Sequence, residues 1–241
     1  MIFKIHKSYI KRYFKILNNM NNLKFAAANA AIEEIRSYLQ KETIIGIGTG
    51  TTINFFIDLL KKLKGKFLGA VASSQSSAIR LKKYGILLFE LNDIKYLPFY
   101  IDSADEIDIN LSMIKGGGAA LTREKIIAKY ANRFICIADE TKLVKNLGKF
   151  PIPIEFIPIA KNYIINKMYL IGANPIYRKG LLTDNGNHII DLYNLINYIN
   201  PVYIEKLLNN ISGIVSNGIF AQRSADLLLL SKFNGVDYIN R

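Results

Sequence analysis

Short apolar runs alternate with amphipathic stretches along the first part of the chain. Strands are predicted at TIIGIG, KFLGAVASS, ILLFEL, YLPFYI and RFICIAD, and helices at NLKFAAANAAIEEIRSYL, TTINFFIDLLKKL, SSAIRLKKYG and AALTREKIIAKYA. Strands that alternate with helices of this length are typical of a mostly parallel sheet with helices on both faces. The pattern therefore predicts a Rossmann-like α/β domain over residues 23–150.

The pattern changes after residue 150. The predicted order becomes strand, helix, strand, strand, helix, strand, at PIPIEFI, AKNYIINKMYLI, ANPIYR, TDNGNHIIDLYN, PVYIEKLLNNI and GIVSNGIF. This βαββαβ order is that of a ferredoxin-like α+β unit, so we expect residues 151–220 to form a smaller lid or oligomerisation domain. The run ADLLLLSKFNGVDYIN predicts one more strand and a terminal turn, and we expect residues 221–241 to rejoin the first sheet.

Composition places the chain among globular proteins. Half of its 241 residues are hydrophobic, which is enough for a core, and no apolar run is long enough to predict a transmembrane helix. The single cysteine, Cys136, excludes an internal disulfide framework and predicts a reducing, cytoplasmic setting. We interpret Cys136 as a buried thiol of the strand RFICIAD rather than a nucleophile.

The formal net charge of +13 could indicate a nucleic-acid partner, but the basic residues are scattered and form neither a stripe nor a known binding module. We therefore expect no nucleic-acid and no membrane partner, and at most a preference for anionic substrates. Residues 1–22 are basic, contain no acid and lack the apolar core and cleavage site of a secretory signal. An amphipathic or targeting segment, a dispensable extension and a translation start at Met20 all stay open.

Residues 101–125 concentrate the candidate chemistry in the run IDSADEIDINLSMIKGGGAALTREK. Asp102 ends a predicted strand, at the edge where open α/β folds bind their ligands. Lys115 precedes three glycines, whose lack of Cβ lets backbone N–H groups approach an anion closely. Two plainer interpretations stay open, in which the glycines form only a tight loop and the acids only a solvated turn.

Glu124 shares a helix face with Leu121 and Ile127. Burial on such a face would raise the pKa of its carboxyl toward the range that suits a general base. The alternative is that Glu124 lies at the margin of the apolar face and reaches water.

The segment GTGTT connects a predicted strand to a predicted helix and has the layout of a phosphate cradle. The glycine spacing is not G-x-G-x-x-G, and no lysine follows as in a P-loop. The next strand ends at Ser73 and Ser74 rather than at the acid that would bind an adenosine ribose. A small phosphorylated ligand therefore fits better than NAD.

The chain is similar to the ribose-5-phosphate isomerase A family in six successive motifs: IGIGTGTT, IDSADEID, KGGGAALTREKIIA, ADETKLVKNLGKFPIPIE, TDNGNHIIDL and GIVSNGIFA. The similarity begins near Leu23; KGGGAALTREK is its most specific motif and GTGTT its least. It implies an aldose–ketose isomerase that interconverts D-ribose 5-phosphate and D-ribulose 5-phosphate in the non-oxidative pentose phosphate pathway. It also implies that no cofactor or metal is needed, and that the protein is a homodimer or homotetramer.

The resemblance assigns roles to individual residues. It implies that Glu124 moves a proton between C2 and C1 through an enediolate, and that Asp102, Asp105 and Lys115 serve ring opening and the oxyanion. The implied substrate-binding residues are Lys24, Thr49, Gly50, Thr51, Thr52, Ser103, Ala104, Gly116, Gly117, Gly118 and Lys142. Ser103 replaces the usual glycine of the motif D-G-A-D-E, which costs strain only if this position needs a positive φ. Thr51 replaces a common serine and keeps the hydroxyl.

Two other hypotheses compete with the isomerase. The first is a non-catalytic sugar-phosphate sensor whose basic amino terminus contacts nucleic acid. The second is a metal enzyme, because the carboxylates of Asp102, Asp105 and Glu106 would suit Mg²⁺. His6 and His188 are too far apart in sequence to suggest a transition-metal site, and we interpret His188 as structural.

Overall fold

The structure of the protein is a computed structural model that describes residues 20–195 and 200–241. The extension predicted for residues 1–22 therefore lies outside the described residues, apart from residues 20–22, which belong to a helix. The helices are α1 (20–36), α2 (Thr51–Leu60), α3 (Gln75–Lys83), α4 (Leu121–Tyr130), α5 (Lys161–Leu170) and α6 (Pro201–Asn209).

The strands are β1 (Ile44–Ile47), β2 (Gly69–Ala72), β3 (Phe99–Asp102), β4 (Glu106–Ile107), β5 (Met113–Ile114), β6 (Arg133–Asp139), β7 (Ile152–Phe156), β8 (Asn174–Tyr177), β9 (His188–Tyr193), β10 (Ile214–Asn217), β11 (Ile219–Phe220), β12 (Leu227–Lys232) and β13 (Gly235–Asn240).

A six-stranded sheet in the order β13-β12-β6-β3-β1-β2 forms the centre of the protein. Its strands run parallel except for the edge pair β12 and β13. Because side chains alternate across a strand, Ile135 and Ile137 of β6 pack in the core with α1 and α2, whereas Phe134 and Cys136 pack with α4 on the other face. The predicted parallel sheet with helices on both faces is confirmed, and so is the buried thiol.

A second, antiparallel sheet in the order β10-β7-β9-β8 carries α5 and α6 on one face. Its order along the chain is the predicted ferredoxin-like βαββαβ. Alternation along β7 and β9 turns Glu155 and Asp191 away from the helices, so these buried acids lie on the face opposite α5 and α6. His188 of this sheet lies 3.1 Å from the Tyr177 hydroxyl, measured at Nδ1.

Three local predictions were wrong. The run ILLFEL is not a regular strand, because it lies outside the edge strand β2 and makes only two hydrogen bonds to that strand, both with Ala70; Leu87 is left exposed. The terminal run forms a hairpin of two strands, with Phe233 and Asn234 in the turn, rather than one strand and a turn. The run GIVSNGIF divides into β10 and β11 at Gly218, where an added Cβ would lie 2.3 Å from the Lys115 carbonyl oxygen.

A small sheet in the order β11-β5-β4 was not predicted. Its strands have two residues each, which is too short for alternation to be visible in the sequence. The antiparallel turn from β4 to β5 brings the chain back from the end of β3, so Lys115 returns to the vicinity of Asp102. Within the described ranges, no helix is both long and apolar enough to cross a bilayer.

Candidate active site

A cavity of about 130 Å³ opens at the carboxyl ends of β1 and β3. Its wall consists of Lys24, Thr49, Gly50, Thr51, Thr52, Ser103, Ala104, Asp105, Lys115, Gly116, Gly117, Gly118, Glu124 and Lys142. Each of these residues is a predicted site residue. The remaining one, Asp102, is fully buried and contacts Lys115 behind the wall. The structure thus brings the predicted residues together at one edge of the central sheet.

Larger hollows of about 760 and 480 Å³ lie elsewhere on the protein. The first is lined by residues at the amino ends of the central strands, including Ile44, Phe99 and Arg133. Open α/β sheets bind their ligands at the opposite, carboxyl edge. We therefore place the site in the smaller cavity, where buried ionisable groups also converge.

The connection after β1 fits closely around the end of β3. A Cβ at Gly48 would lie 1.9 Å from Asp102 Oδ1, so only glycine fits at this position. Gly50, with φ 120°, precedes α2 in a backbone conformation that favours glycine. These glycines set the carboxyl ends of the two strands side by side.

Asp102 is surrounded by hydrogen-bond donors. Its Oδ1 accepts from the Thr49 N–H at 3.1 Å and the Ser103 N–H at 2.7 Å. Its Oδ2 accepts from the Tyr100 hydroxyl at 2.5 Å and lies 2.8 Å from Lys115 Nζ. The carboxylate is therefore fixed in place and serves as an anchor for the ammonium group of Lys115.

Lys115 is buried between two carboxylates. Its Nζ lies 2.8 Å from Asp102 Oδ2 and 3.3 Å from Glu124 Oε2, and it donates to the Ser103 carbonyl oxygen. Burial alone would lower the pKa of Lys115, but the charges of Asp102 and Glu124 more than offset it, so the pKa is raised above its ordinary value. Lys115 therefore places a permanent positive charge in the cavity wall.

Glu124 is 3% exposed, so the alternative in which it reaches water at the margin of the helix is wrong. Burial, followed by the charge of Asp102, raises the pKa of Glu124 to about 8, against the opposing effect of Lys115. Among the described residues, no donor makes an aligned hydrogen bond to its Oε2, because the 3.3 Å contact with Lys115 is an ion pair without hydrogen-bond geometry. A carboxyl oxygen that has this pKa and accepts no hydrogen bond can take up and return a proton near neutral pH.

The glycine triplet forms a turn in the cavity wall. The Ala119 N–H donates to the Gly116 carbonyl oxygen at 3.0 Å, and the Gly117 N–H donates to Asp105 Oδ2 at 2.8 Å. Of the three glycines, only Gly116 has a positive φ, at 107°, and Ala119 has a φ of 60°. The plain interpretation as a tight loop is thus partly correct, because this loop also lines the cavity. The left-handed Ala119 had no signal in the sequence.

The other end of the cavity is suited to an anion. Helix α2 begins at Thr51, its first turn contains no acid, and Lys24 Nζ donates to Thr51 Oγ1 at 2.9 Å. The hydroxyl of Thr49 lies 2.8 Å from those of Ser73 and Ser74, so these serines orient a cavity residue. The sequence drew attention to both serines only as an argument against NAD.

Ser103 does not have a positive φ, so its replacement of glycine causes no backbone strain of that kind.

The carboxylates that the metal hypothesis requires contact different partners, an arrangement that does not favour a shared ion. Glu106 accepts from the Gly148 and Phe150 N–H groups at 2.7 and 2.6 Å, whereas Asp102 faces Lys115. Within the described part of the chain, no group of His, Cys, Asp and Glu side chains has an arrangement suited to a metal ion.

The fold and the cavity define an α/β protein with a buried carboxyl, a fixed ammonium group and a helix start suited to an anion at one edge of the central sheet. The sequence model of ribose 5-phosphate isomerase A (phosphoriboisomerase A) matches residues 69–235. The chain belongs to the ribose 5-phosphate isomerase A family, as the motif series predicted.

Solved structures agree with this assignment. Ribose 5-phosphate isomerase A from Neisseria gonorrhoeae is 42% identical, with 92% of this chain and 97% of that chain covered and a TM-score of 0.87. The enzyme from Methanocaldococcus jannaschii is 35% identical, with 91% and 99% covered and a TM-score of 0.84. A D-ribose-5-phosphate isomerase in complex with phospho-erythronic acid is 36% identical, with 92% and 99% covered and a TM-score of 0.84. The sensor hypothesis is not favoured by these similarities.

Proposed function

We propose that the cavity interconverts D-ribose 5-phosphate and D-ribulose 5-phosphate with Glu124 as the base. The observation that carries this proposal is the buried Glu124 carboxyl, whose pKa of about 8 lies near neutrality and whose Oε2 is 3.3 Å from the Lys115 ammonium. A base that removes a proton beside a carbonyl works best when its pKa lies near the working pH.

The phosphate of the substrate binds at the start of α2, next to Thr51 and Thr52, with Lys24 and Lys142 supplying positive charge. Binding energy from this remote group holds C1 and C2 at the reacting end of the cavity. Asp105 lines that end of the cavity and exchanges a proton with the sugar hydroxyls during ring opening, whereas the buried Asp102 acts there through Lys115.

In the open-chain aldose, Glu124 removes the proton from C2, and the carbonyl electrons move onto the oxygen at C1. Lys115 and the N–H groups of Gly116 and Gly118 stabilise the resulting oxyanion, because the ammonium and the turn are fixed before the charge develops, the turn in part by the bond from the Gly117 N–H to Asp105. Glu124 then returns the proton to C1. The hydroxyl proton at C2 moves to the oxygen at C1, which leaves the ketose carbonyl at C2. Phospho-erythronate, which is bound to one relative, carries a carboxylate in place of the enediolate oxygens.

We further propose a cytoplasmic homodimer or homotetramer. The single cysteine is buried, which agrees with a reducing compartment. We keep residues 23–150, joined by 221–241, as the catalytic domain, and residues 151–220 as the lid or oligomerisation domain. The parallel pairing of β12 with β6 supports the inclusion of the last segment in the first domain.

A coupled assay with ribose 5-phosphate, performed with and without EDTA, tests the proposed function. Turnover that persists in EDTA would support the metal-independent isomerase. Loss of turnover in EDTA would support the metal hypothesis instead. A folded protein that binds ribose 5-phosphate without turnover would support the sensor.

A further inference from the structure

Arg178 follows β8 in the ferredoxin-like sheet and reaches the glycine turn of the cavity wall. Its Nη1 donates to the Gly116 and Gly117 carbonyl oxygens, at 3.1 Å in both cases. Arg178 does not line the cavity and takes no part in the proposed proton transfers. The contact is nevertheless a direct connection between the second sheet and the cavity.

Asp191 of β9 holds the guanidinium of Arg178 in one orientation. Arg178 Nε donates to Asp191 Oδ2 and Nη2 donates to Oδ1, both at 2.6 Å. The two side chains are 17% and 12% exposed, so the pair is largely protected from solvent. A bidentate pair of this kind fixes the plane of the guanidinium and therefore the direction of the remaining nitrogen, Nη1.

The direction of the two glycine carbonyls determines where the N–H groups of the turn point. In a trans peptide the C=O and the N–H of the same unit lie on opposite sides. Because the Gly116 and Gly117 carbonyls face Arg178, the N–H groups of Gly117 and Gly118 face the other way. The Gly117 N–H does so, since it donates to Asp105 Oδ2 at 2.8 Å. Among the described residues, the Gly118 N–H has no acceptor, and Gly118 lines the cavity.

Glycine peptides need such a restraint. Gly117 and Gly118 have no Cβ to limit rotation of their peptide planes, and a rotated plane would present a carbonyl oxygen to the substrate in place of an N–H. The positive charge on the carbonyl side also polarises the peptide, which makes the N–H on the opposite side a stronger donor.

We propose that Arg178, held by Asp191, is a positioning residue of the oxyanion site: it fixes the peptides of the glycine turn so that the Gly118 N–H, which is not held by Asp105, faces the oxygen at C1. This role rests on the proposed isomerase function. It makes the second sheet a part of the catalytic machinery, since removing Arg178 would misorient a donor of the oxyanion site.

The test compares Arg178→Met, Arg178→Lys and Asp191→Asn with the unaltered protein. A matched control is Arg80→Lys, because Arg80 forms a similar bidentate pair with Asp58, at 2.9 and 2.6 Å, and is not among the residues that line the cavity. Each variant is assayed for kcat, for KM, for thermal unfolding, and for inhibition by phospho-erythronate and by inorganic phosphate.

Arg178→Met is expected to lower kcat by about 10²-fold, the usual effect of losing one oxyanion donor, with KM changed less than about threefold. Phospho-erythronate inhibition should weaken with kcat, whereas phosphate inhibition should not change. Arg178→Lys and Asp191→Asn should lie between Arg178→Met and the unaltered protein, and Arg80→Lys should match the latter.

Several outcomes would overturn the proposal. One is a kcat within twofold of the unaltered protein in folded Arg178→Met or, if that variant does not fold, in Arg178→Lys. Another is equal weakening of phospho-erythronate and phosphate inhibition. Absence of turnover in the unaltered protein would count against the proposed function itself, and is thereby distinguishable from failure of the role of Arg178.

Discussion

The Lys115 ammonium lies 3.3 Å from the Glu124 carboxylate, and each side chain is less than 5% exposed. Burial and the nearby Asp102 charge favour the protonated form of Glu124, whereas Lys115 favours the ionised form. The first two effects prevail and leave the pKa of Glu124 at about 8. Both forms of the carboxyl are therefore accessible near neutral pH, as the proposed proton shuttle requires.

The pH dependence of catalysis should follow Glu124. Only the ionised carboxylate can remove a proton, so kcat/KM should rise about tenfold per pH unit below the pKa of about 8 and level off above it. The measurement is kcat/KM from pH 6 to 9.5 at constant ionic strength. A profile that is flat across this range would show that Glu124 is not the titrating base.

The same pKa predicts how stability depends on pH. Folding raises the pKa of Glu124 from 4.5 to about 8, so the folded state binds this proton more tightly than the unfolded state. The resulting stabilisation is fully present below pH 4.5 and is lost as the pH rises toward 8. In Glu124→Gln the side chain no longer titrates. The free energy of unfolding of this variant should therefore increase, relative to that of the unaltered protein, as the pH rises. Urea unfolding of both proteins at pH 5.5 and 8.5 measures this difference, and a difference that is constant or shrinks contradicts it.

Lys115→Met should abolish turnover and destabilise the protein. It leaves the carboxylates of Asp102 and Glu124 buried without their cation, and breaking a buried pair in this way costs about 3 to 5 kcal/mol. Denaturant unfolding measures the loss. Lys142→Ala is the control, because Lys142 lines the same cavity but is only half-buried, and it should lose much less. Equal stability of the two variants would argue against the buried cluster.

Ser103→Gly, which restores the usual glycine of the family, should bring no gain. The φ of Ser103 is not positive, so no strain is released, and glycine adds freedom to the unfolded chain. We expect a loss of roughly 0.5 to 1 kcal/mol of unfolding free energy and a kcat/KM within a fewfold of the unaltered protein. A clear increase in melting temperature would show that the serine is strained.

Much of this site could be predicted from the sequence, because its main residues lie at strand ends, at helix starts or on an apolar helix face. Asp102 ends a strand, Glu124 occupies the apolar face of a helix, and the cradle at Thr51 begins another helix. Periodicity and strand ends are local signals, so they can be recognised in the sequence alone.

What the sequence could not predict depends on distant pairing. Arg178 lies 62 and 61 positions after Gly116 and Gly117 in the chain. It contacts their turn only because the two sheets pack together. Strands β4 and β5 are too short to show a period, and the backbone conformations of Ser103 and Ala119 depend on their neighbours in space. These features carry no local pattern.

The central claim is that Glu124 is the base, and Glu124→Gln tests it most directly, because the amide keeps the shape of the side chain and cannot take up the proton. We predict a fall in kcat of about 10²- to 10⁴-fold, with phospho-erythronate still bound at near-normal affinity. Titration of the folded variant with phospho-erythronate and the coupled assay give both quantities. Near-normal turnover in this variant would contradict the assignment.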